Sequence, residues 1–455
     1  MGDMLEKLSD WIVSASDAVC GYPEFFLLIG GGLFLFIYSG AVSIRRLPWA
    51  LRVLREKQAS DSGKQSGQIS SVQALLSAIA ATVGMGNIAG VAIALSIGGP
   101  GTVFWMWVSA LVGMSTKFFE GTLSIMYKGR DSAGEVQGGP MYIITQGLGK
   151  KWKPLAVAFS IFGLVGTLCF MQANQLVESV TTVFTTPMGI ENTVTLRFIM
   201  GVVMVLIVGA VILGGIKRIA LLASRIVPVM VVLYLIMVLV IMALNFREIP
   251  GVFGKIFESA FDLRAGFGAF AYVALTGARR AAFVNEAGVG TASMMHGASK
   301  NTEPVREGLI AMLGPAIDSG LVCTLTSIPI IIAGNYVGLT DPKGLYVALG
   351  AWGQLLPGIG QLLLMAIVFF FAFSTMFSYS YYGQKCTNYL FGAHNVKWYN
   401  YYYLAMILVA AVIPLKTMVS IMDLAFALMA LCTMFTIIVL SPRVKRQMKE
   451  YFKNK

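Results

Sequence analysis

The chain has few charged residues and very little histidine. Charged side chains make up 12% of its 455 residues and only two residues are histidines, whereas 57% are hydrophobic. Soluble domains carry about 25% charged residues, so the composition excludes a soluble globular protein and indicates a membrane protein with several spans. The motifs H-E-x-x-H and G-x-S-x-G and a nucleotide-binding glycine loop are absent from the sequence. An integral membrane enzyme is therefore the least favoured function class.

Cysteine and histidine form no pattern that is typical of a metal site. The five cysteines lie far apart, mostly in apolar runs, and no C-x-x-C spacing occurs. The sequence therefore gives no sign of a disulfide framework or a zinc site, and no cofactor is expected. His296 and His394 fall in predicted loops, and we interpret both as surface residues.

Long apolar runs are what the sequence has in abundance. A helix needs about 20 apolar residues to cross the hydrocarbon layer. We therefore predict an all-α integral membrane protein with about 11 transmembrane helices, preceded by an amphipathic segment that lies flat on the membrane. The predicted windows are 24–44, 70–97, 100–127, 155–184, 195–216, 219–244, 263–285, 309–337, 359–384, 399–415 and 418–440.

The positive charges collect in every second loop. Lysine and arginine clusters follow spans one, three, five, seven, nine and eleven, whereas the alternate loops hold only scattered cations. Positively charged loops stay in the cytoplasm, so we expect the N-terminus outside the cell membrane and the C-terminus inside. This distribution explains the net charge of +12 by topology rather than by nucleic-acid binding. The lipid bilayer is therefore an expected partner, and nucleic acid is not.

Two of the predicted spans contain stretches that weaken a helix. Span two is interrupted over 82–87, within ATVGMGNIAG, and span seven over 274–290, ALTGARRAAFVNEAGVG. Each glycine costs a helix about 1 kcal/mol. Span seven comes five spans after span two. Because successive spans cross the membrane in opposite directions, an odd shift means that the two interrupted spans run in opposite directions. Spans two to six and seven to eleven are therefore predicted to form a 5+5 inverted-repeat core.

This interpretation divides the chain into four parts. Residues 1–69 hold the amphipathic segment, one extra transmembrane helix and a basic cytoplasmic loop. Residues 70–245 form the first five-helix repeat and residues 263–442 form the second. Residues 443–455 form a basic cytoplasmic tail.

A break in a membrane helix has a chemical use. Unwound backbone is tolerated at membrane depth only where protein or a water-filled cavity surrounds it. The freed amides favour a carboxylate, and the freed carbonyls favour a cation. Gly84 and Gly86 also allow a ligand to approach the backbone closely. The interrupted helices thus indicate the binding site of a transporter, although the glycines would also suit close helix packing.

The sequence resembles the alanine/glycine:cation symporter family, the AgcS type, in three motifs. These are TVGMGNIAG, GGPGTVFWMWVSALVG (98–113) and NEAGVGTAS (285–293), and the similarity in order and spacing covers nearly the whole chain. The resemblance implies the fold of the bacterial leucine transporter, in the APC superfamily. It also implies sodium-driven uptake of alanine or glycine.

The resemblance implies which residues contact the substrate. Backbone amides near Gly84, Met85 and Gly86 would hold its carboxylate. Thr276 and Gly277, in the second interruption, are further expected substrate contacts.

A main sodium position is implied between the first break and span nine. The carbonyls of Ala80 and Val83 would face the hydroxyls of Ser374 and Thr375. Sodium is a hard cation that prefers several oxygen ligands, so this donor set suits it. The alternative is that both hydroxyls bond only to the backbone of their own helix.

A second ion position is implied beside the first. Thr82, which is also an expected substrate contact, would contribute its carbonyl, and Asn87 its side-chain oxygen. Asp318 lies within span eight, where an unpaired carboxylate is costly and indicates a function. It would supply negative charge there, counter the substrate ammonium or take up a proton. Asp423 and Glu178 are weaker candidates.

Gln172 and Gln175 lie well inside span four, where amides need a polar partner. Being three apart on a helix that lines the pocket in the related fold, they would reach the ligand's amine or carboxylate. The alternative is that they join helices to each other.

Charged side chains also fall inside spans three and seven. Lys117 and Glu120 are interpreted as a helical ion pair. Arg279 and Arg280 are expected to face a cytoplasmic vestibule, either as gates or by reaching to the interface.

The sequence thus predicts a secondary active symporter that carries sodium and a small neutral amino acid together by alternating access. Three alternatives remain open at this stage. These are coupling to protons rather than sodium, a channel or passive facilitator, and an integral membrane enzyme.

Overall fold

The computed structural model describes residues 11–16, 18–56, 67–263, 266–338, 344–412 and 415–453. The predicted amphipathic start, residues 4–19, lies only partly within the described residues: 4–10 and 17 are outside them, and the remainder belongs to the helix Trp11–Tyr38. Apart from one two-stranded hairpin, the elements are helices. Each of the predicted apolar windows falls on a helix of the structure.

We number the longer helices in chain order. The strands β1 (Gly129–Arg130) and β2 (Val136–Gln137) form the hairpin after the fifth helix. The helices are α1 (Trp11–Tyr38), α2 (Leu47–Arg55), α3 (Ser71–Thr82), α4 (Gly86–Gly98), α5 (Gly101–Met126), α6 (Lys150–Thr185), α7 (Val194–Ile212), α8 (Gly215–Leu244), α9 (Ile249–Ala260), α10 (Phe267–Asn285), α11 (Thr291–Gly297), α12 (Pro304–Ala333), α13 (Gly344–Leu355), α14 (Gly360–Phe391), α15 (Val396–Val412) and α16 (Leu415–Lys453).

Seven of the described helices are long and apolar enough to cross a membrane, or eight if the bent pair α3 and α4 counts as one span. The full count of eleven spans and the inverted repeat stay predictions. The helices differ in burial: 28% of the apolar window of α7 is buried, against 67% in α14. Apolar side chains of α7 and α8 therefore face outward, where lipid would cover them, and α14 lies in the middle of the bundle.

The first predicted interruption is a real break. A capping box of Ser70 and Gln73 starts α3, which ends at Thr82, and α4 continues from Gly86 at an angle of 56°. The first turn of α4, Gly86–Gly90, is a π-helix, a form that often marks functional positions.

The second interruption is shorter than predicted. Residues 274–285 belong to the regular helix α10, and the break covers only Glu286–Gly290. Glu286, Gly288 and Gly290 have the positive φ angles 51°, 95° and 95°. The alanine-rich sequence of 274–285 favours a helix, so the chain leaves it only where the glycines allow left-handed backbone.

The basic loops meet at one end of the bundle, which we call the basic end. Ile69 pairs with Ser299 in an isolated bridge, and the Lys128 ammonium donates a hydrogen bond to the Ser299 carbonyl at 2.6 Å. Asn388 donates to the Asp131 carboxylate of the hairpin at 2.9 Å. The loops that follow α2, α5 and α11 are thus joined to each other and to α14. Helices α9 and α13 lie at the opposite end.

A buried carboxylate joins several chain segments at the basic end. Glu307 accepts hydrogen bonds from the hydroxyls of Ser71 (2.7 Å) and Ser299 (3.1 Å) and from the Asn301 amide (3.0 Å). His296 places its Nδ1 at 2.6 Å from the same carboxylate. The interpretation of His296 as a surface residue is therefore wrong, because it is buried and paired. His394 is exposed, as expected.

Candidate functional site

Hydrogen bonds to Asn87 stabilise the first break, residues 83–85. The Gly84 amide donates a hydrogen bond to Asn87 Oδ1 at 2.9 Å, and the Asn87 amide donates to the Gly84 carbonyl at 3.1 Å. One amide that we expected to hold a substrate carboxylate thus already has a partner. The Asn87 oxygen that we expected to face an ion is bound to that amide.

Thr375, on α14, lies directly against this break. Its hydroxyl donates to the carbonyls of Ala80 at 3.2 Å and Val83 at 3.5 Å. Ser374 points elsewhere: its hydroxyl donates to the Phe371 carbonyl at 3.1 Å. The structure therefore brings together three of the four residues predicted for the main sodium position. The alternative role, bonding to the residue's own helix, fits Ser374 but not Thr375.

Asp318 lies on the other side of Asn87, in a π-helical turn of α12. Its backbone carbonyl accepts a hydrogen bond from Asn87 Nδ2 at 3.3 Å. Its carboxylate accepts bonds from the amide and hydroxyl of Ser319. Its other oxygen, Oδ2, is buried without a hydrogen-bond partner among the described residues. Asn87 and Asp318 are thus brought together, but through the Asp318 backbone.

The second break contains a carboxylate that the sequence reading missed. Glu286 is buried and accepts hydrogen bonds from the Tyr379 hydroxyl on α14 and the Thr291 hydroxyl at 2.6 Å. Glu120 accepts a bond from the Gly288 amide at 2.5 Å, and Lys117 is close enough to interact electrostatically with both carboxylates. Lys117 therefore serves the break as well as its own helix.

A small cavity of about 100 Å³ lies between the two breaks. Its walls come from α3, α4, α6, α10, α14 and α16, and they combine backbone of the first break with Glu286 of the second. The lining residues are Ala81, Thr82, Gly84, Gly86, Met171, Gln172, Arg280, Phe283, Val284, Glu286, Tyr379, Met422, Asp423 and Phe426.

A larger cavity of about 1250 Å³ extends from the small one toward the opposite end. It is lined by residues of the outer half of α6, by α10 and by the start of α13. Four residues line both cavities and so form the wall between them: Met171, Arg280, Phe283 and Asp423.

The predicted substrate contacts divide between these spaces. Thr82, Gly84, Gly86 and Gln172 line the small cavity, and Gln175 and Thr276 line the larger one. Met85 is buried. A Cβ at Gly277 would lie 2.3 Å from the Thr102 carbonyl oxygen, so this glycine serves the packing of α10 on α5.

The two arginines of α10 lie on the side opposite to the one expected. Arg279 and Arg280 line the larger cavity, not a vestibule at the basic end. Glu178 lines the same cavity and pairs with Arg197 at 2.7 Å. The sequence contained a signal for Glu286, since a carboxylate directly before A-G-V-G is forced into the broken backbone. It contained no signal for Tyr379, which depends on the packing of α14.

Two titratable groups at the basic end, outside the membrane spans, have shifted pKa values. Burial lowers the pKa of Lys128 to about 8, although the nearby Glu307 carboxylate favours its charged form. Burial alone would raise the pKa of Asp131, but hydrogen bonds from Asn388, Gln137 and two backbone amides outweigh it and lower the pKa.

Known proteins resemble this chain in sequence or in fold. A family model described as the sodium:alanine symporter family matches residues 5–455. The sodium/alanine symporter AgcS of Methanococcus maripaludis is 39% identical over 433 residues, which cover 93% of either chain. An uncharacterized transporter of Haemophilus influenzae is 38% identical over 97% of this chain and 96% of its own. The crystal structure of MhsT in complex with L-phenylalanine covers 83% of this chain and 90% of that chain, with a TM-score of 0.52 and 15% identity. That likeness shows a shared fold, the leucine-transporter fold that the resemblance implied.

Proposed function

Because the chain belongs to the sodium:alanine symporter family, we propose that it couples sodium entry to the uptake of alanine or glycine across the cell membrane. The family and the similar proteins are transporters, so the chain is a transporter and not an enzyme. We propose the identity of the coupling ion, the identity of the amino acid and the orientation in the membrane.

The observation that carries the proposal is the meeting of Thr375 with the broken helix. Three oxygens, from the Thr375 hydroxyl and the carbonyls of Ala80 and Val83, converge within hydrogen-bond distance. A hydroxyl can turn its proton away and offer a lone pair, so the same three atoms suit a sodium ion. Further ligands would come from neighbouring carbonyls of the break, which lie outside regular helix. Asn87 and Asp318 remain candidates for a second ion.

The size of the small cavity supports a small amino acid. The small cavity holds about 100 Å³, against about 1250 Å³ in the larger one. A ligand held in this smaller space must itself be small, which favours glycine or alanine over an amino acid with a large aromatic side chain. Thr82, Gly84, Gly86 and Gln172 line this space. In this proposal Thr276 and Gln175 contact the substrate on its way in.

The contrast between the two ends supports transport by alternating access. The larger cavity leads from the small one toward the opposite end, and the Glu307 cluster joins chain segments at the basic end. With the basic loops in the cytoplasm, this arrangement is open to the outside. Uptake would require the wall at Phe283 and Met171 to close before the basic end opens.

The test is uptake of radiolabelled alanine and glycine into proteoliposomes, with sodium and pH gradients imposed separately. We expect concentrative uptake with an inward sodium gradient and none with a proton gradient alone. Concentration driven only by protons would favour proton coupling, and uptake that never exceeds equilibrium would favour a passive facilitator. An excess of unlabelled phenylalanine should compete poorly if the small cavity is the site.

A further inference from the structure

The recognition of a substrate carboxylate rests on the proposed function, because an amino-acid substrate is what brings a free carboxylate to the small cavity. We propose that the Arg280 guanidinium binds the carboxylate of the amino acid, and that Arg280 thereby makes a free carboxylate a requirement for transport. The sequence analysis assigned that task to backbone amides of the first break, with Gln172 and Gln175 as further candidate contacts.

Arg280 stands at the entrance to the small cavity. It comes from α10, and it is one of the four residues that line both cavities. A ligand that moves from the larger cavity into the smaller one must therefore pass this side chain. Arg279, its neighbour in sequence, lines the larger cavity only.

The surroundings of Arg280 hold the guanidinium in this place. Its Nη2 donates a hydrogen bond to the Gly86 carbonyl at 3.2 Å, at the end of the first break. A Cβ at Gly90 would lie 1.3 Å from the same Nη2, so only a glycine there leaves room for the group. The Asp423 carboxylate interacts with it electrostatically.

Two residues that line the small cavity each carry a buried polar atom without a hydrogen-bond partner among the described residues, and the two atoms are complementary. Arg280 Nε is a buried donor and Gln172 Oε1 is a buried acceptor, and neither has a hydrogen-bond partner there. Unpaired buried polar atoms are costly. Once each side chain turns that atom toward the cavity, a zwitterion satisfies both, with its carboxylate at Arg280 and its ammonium at Gln172.

The first break cannot supply the whole carboxylate site. Asn87 Oδ1 already occupies the Gly84 amide. A guanidinium presents parallel N–H groups that match the two oxygens of a carboxylate, and such charge-assisted bonds are stronger than neutral ones. Arg280 therefore adds both the charge and the geometry that the break lacks.

The experiment compares L-alanine with L-alaninamide, which keeps the ammonium but lacks the carboxylate. Sodium-driven uptake is measured for the wild type, Arg280→Gln and Arg280→Lys in proteoliposomes. We expect Arg280→Gln to raise the KM for alanine about 10- to 100-fold and to reduce the preference for alanine over alaninamide by a similar factor. Arg280→Lys keeps the charge and should lose less.

Two controls separate a role in binding from a role in folding. Arg279→Gln, which changes the neighbouring arginine, should keep the alanine-to-alaninamide preference. Gly90→Ala leaves Arg280 intact but displaces its guanidinium, so it should lower the preference as Arg280→Gln does. Gly268→Ala, also on α10 but with open space around it, should not.

Each outcome bears on a different claim. If the wild type shows no sodium-dependent alanine or glycine uptake, the proposed function fails, and the inference fails with it. If the wild type takes up alanine but Arg280→Gln and Gly90→Ala keep its preference for the carboxylate, only the inference fails. Equal losses for both compounds would assign Arg280 a structural role and would likewise contradict it.

Discussion

The two helix breaks differ in what they contribute to the site. The first, Val83–Met85, is neutral: Asn87 holds it in shape, and its carbonyl groups face Thr375. The second, Glu286–Gly290, brings a buried carboxylate and glycines with left-handed backbone. Dipoles with a fixed direction come from the first break, and a full charge comes from the second.

Helix α14 joins these two contributions. Thr375 contacts the first break and Tyr379 contacts the second through Glu286. The two residues are four apart and so lie on one face of the helix. The proposed sodium position beside Thr375 and the Glu286 carboxylate beside Tyr379 are therefore held at a separation that a rigid helix sets. Both broken helices therefore depend on an unbroken one, α14.

The largest expected effect comes from removing left-handed backbone in the second break. Gly290 has a φ of 95°, and a Cβ there would lie 2.5 Å from Pro140 Cγ and 2.6 Å from Thr433 Oγ1. Left-handed strain of about 1–2 kcal/mol adds to an overpacking cost of about 1–3 kcal/mol. We expect Gly290→Ala to lower the yield of monodisperse protein severely. Gly268→Ala should leave the yield unchanged, and a normal yield of Gly290→Ala would contradict the argument.

The next effect is a contrast between two glycines of the first break. A Cβ at Gly84 would lie 2.6 Å from Thr375 Oγ1, whereas a Cβ at Gly86 meets nothing closer than 3.6 Å. Gly84→Ala should therefore displace the hydroxyl and raise the sodium concentration for half-maximal uptake by about tenfold or more. Gly86→Ala should change that concentration less. If both variants raised the half-maximal sodium concentration equally, displacement of the Thr375 hydroxyl would not be the cause.

A third prediction separates the two adjacent hydroxyls of α14. Thr375→Ala removes an oxygen beside the Ala80 and Val83 carbonyls and should raise the half-maximal sodium concentration about tenfold. Ser374→Ala removes a hydroxyl that bonds to Phe371 on its own helix, so sodium dependence should hardly change. The measurement is a sodium titration of alanine uptake. If Ser374→Ala had the larger effect, the proposed sodium position would be wrong.

The smallest effect concerns a carboxylate of the hairpin, outside both breaks. The lowered pKa of Asp131 means that its charged form stabilises the fold above the unfolded pKa of about 3.9, and that this stabilisation is lost as pH falls through the folded-state pKa. Asp131→Asn should lower the Tm by about 1–2 °C at pH 7, and the difference should shrink below about pH 4. Its sodium dependence should match that of the wild type. A Tm difference that grows in acid would reverse the sign of the argument.

Helix positions and the first break followed from the sequence because they depend on local composition. Apolar windows of membrane length coincide with helices, and Gly84 and Gly86 lie where α3 gives way to α4. The contact of Thr375 with Ala80 and Val83 required the family resemblance, since almost 300 residues separate the partners along the chain.

The errors share a physical cause, which is that burial is decided by distant partners. His296 belongs to a loop-like sequence, but Glu307 and neighbouring chain bury it. Arg280 faces the larger cavity because α10 is a regular helix through residue 285, which fixes where each side chain points. A reading that placed the break earlier, over 274–290, could not assign those directions.

The Glu307 cluster at the basic end has a consequence for the speed of transport. In the proposed transport cycle, delivery to that side would require Ser71, His296, Ser299 and Asn301 to exchange their bonds with the Glu307 carboxylate for bonds with incoming water. Breaking several strong hydrogen bonds before the new ones form requires a high activation enthalpy. We therefore expect the turnover rate to fall steeply on cooling while alanine binding changes little. At low temperature the protein would bind alanine but release it slowly.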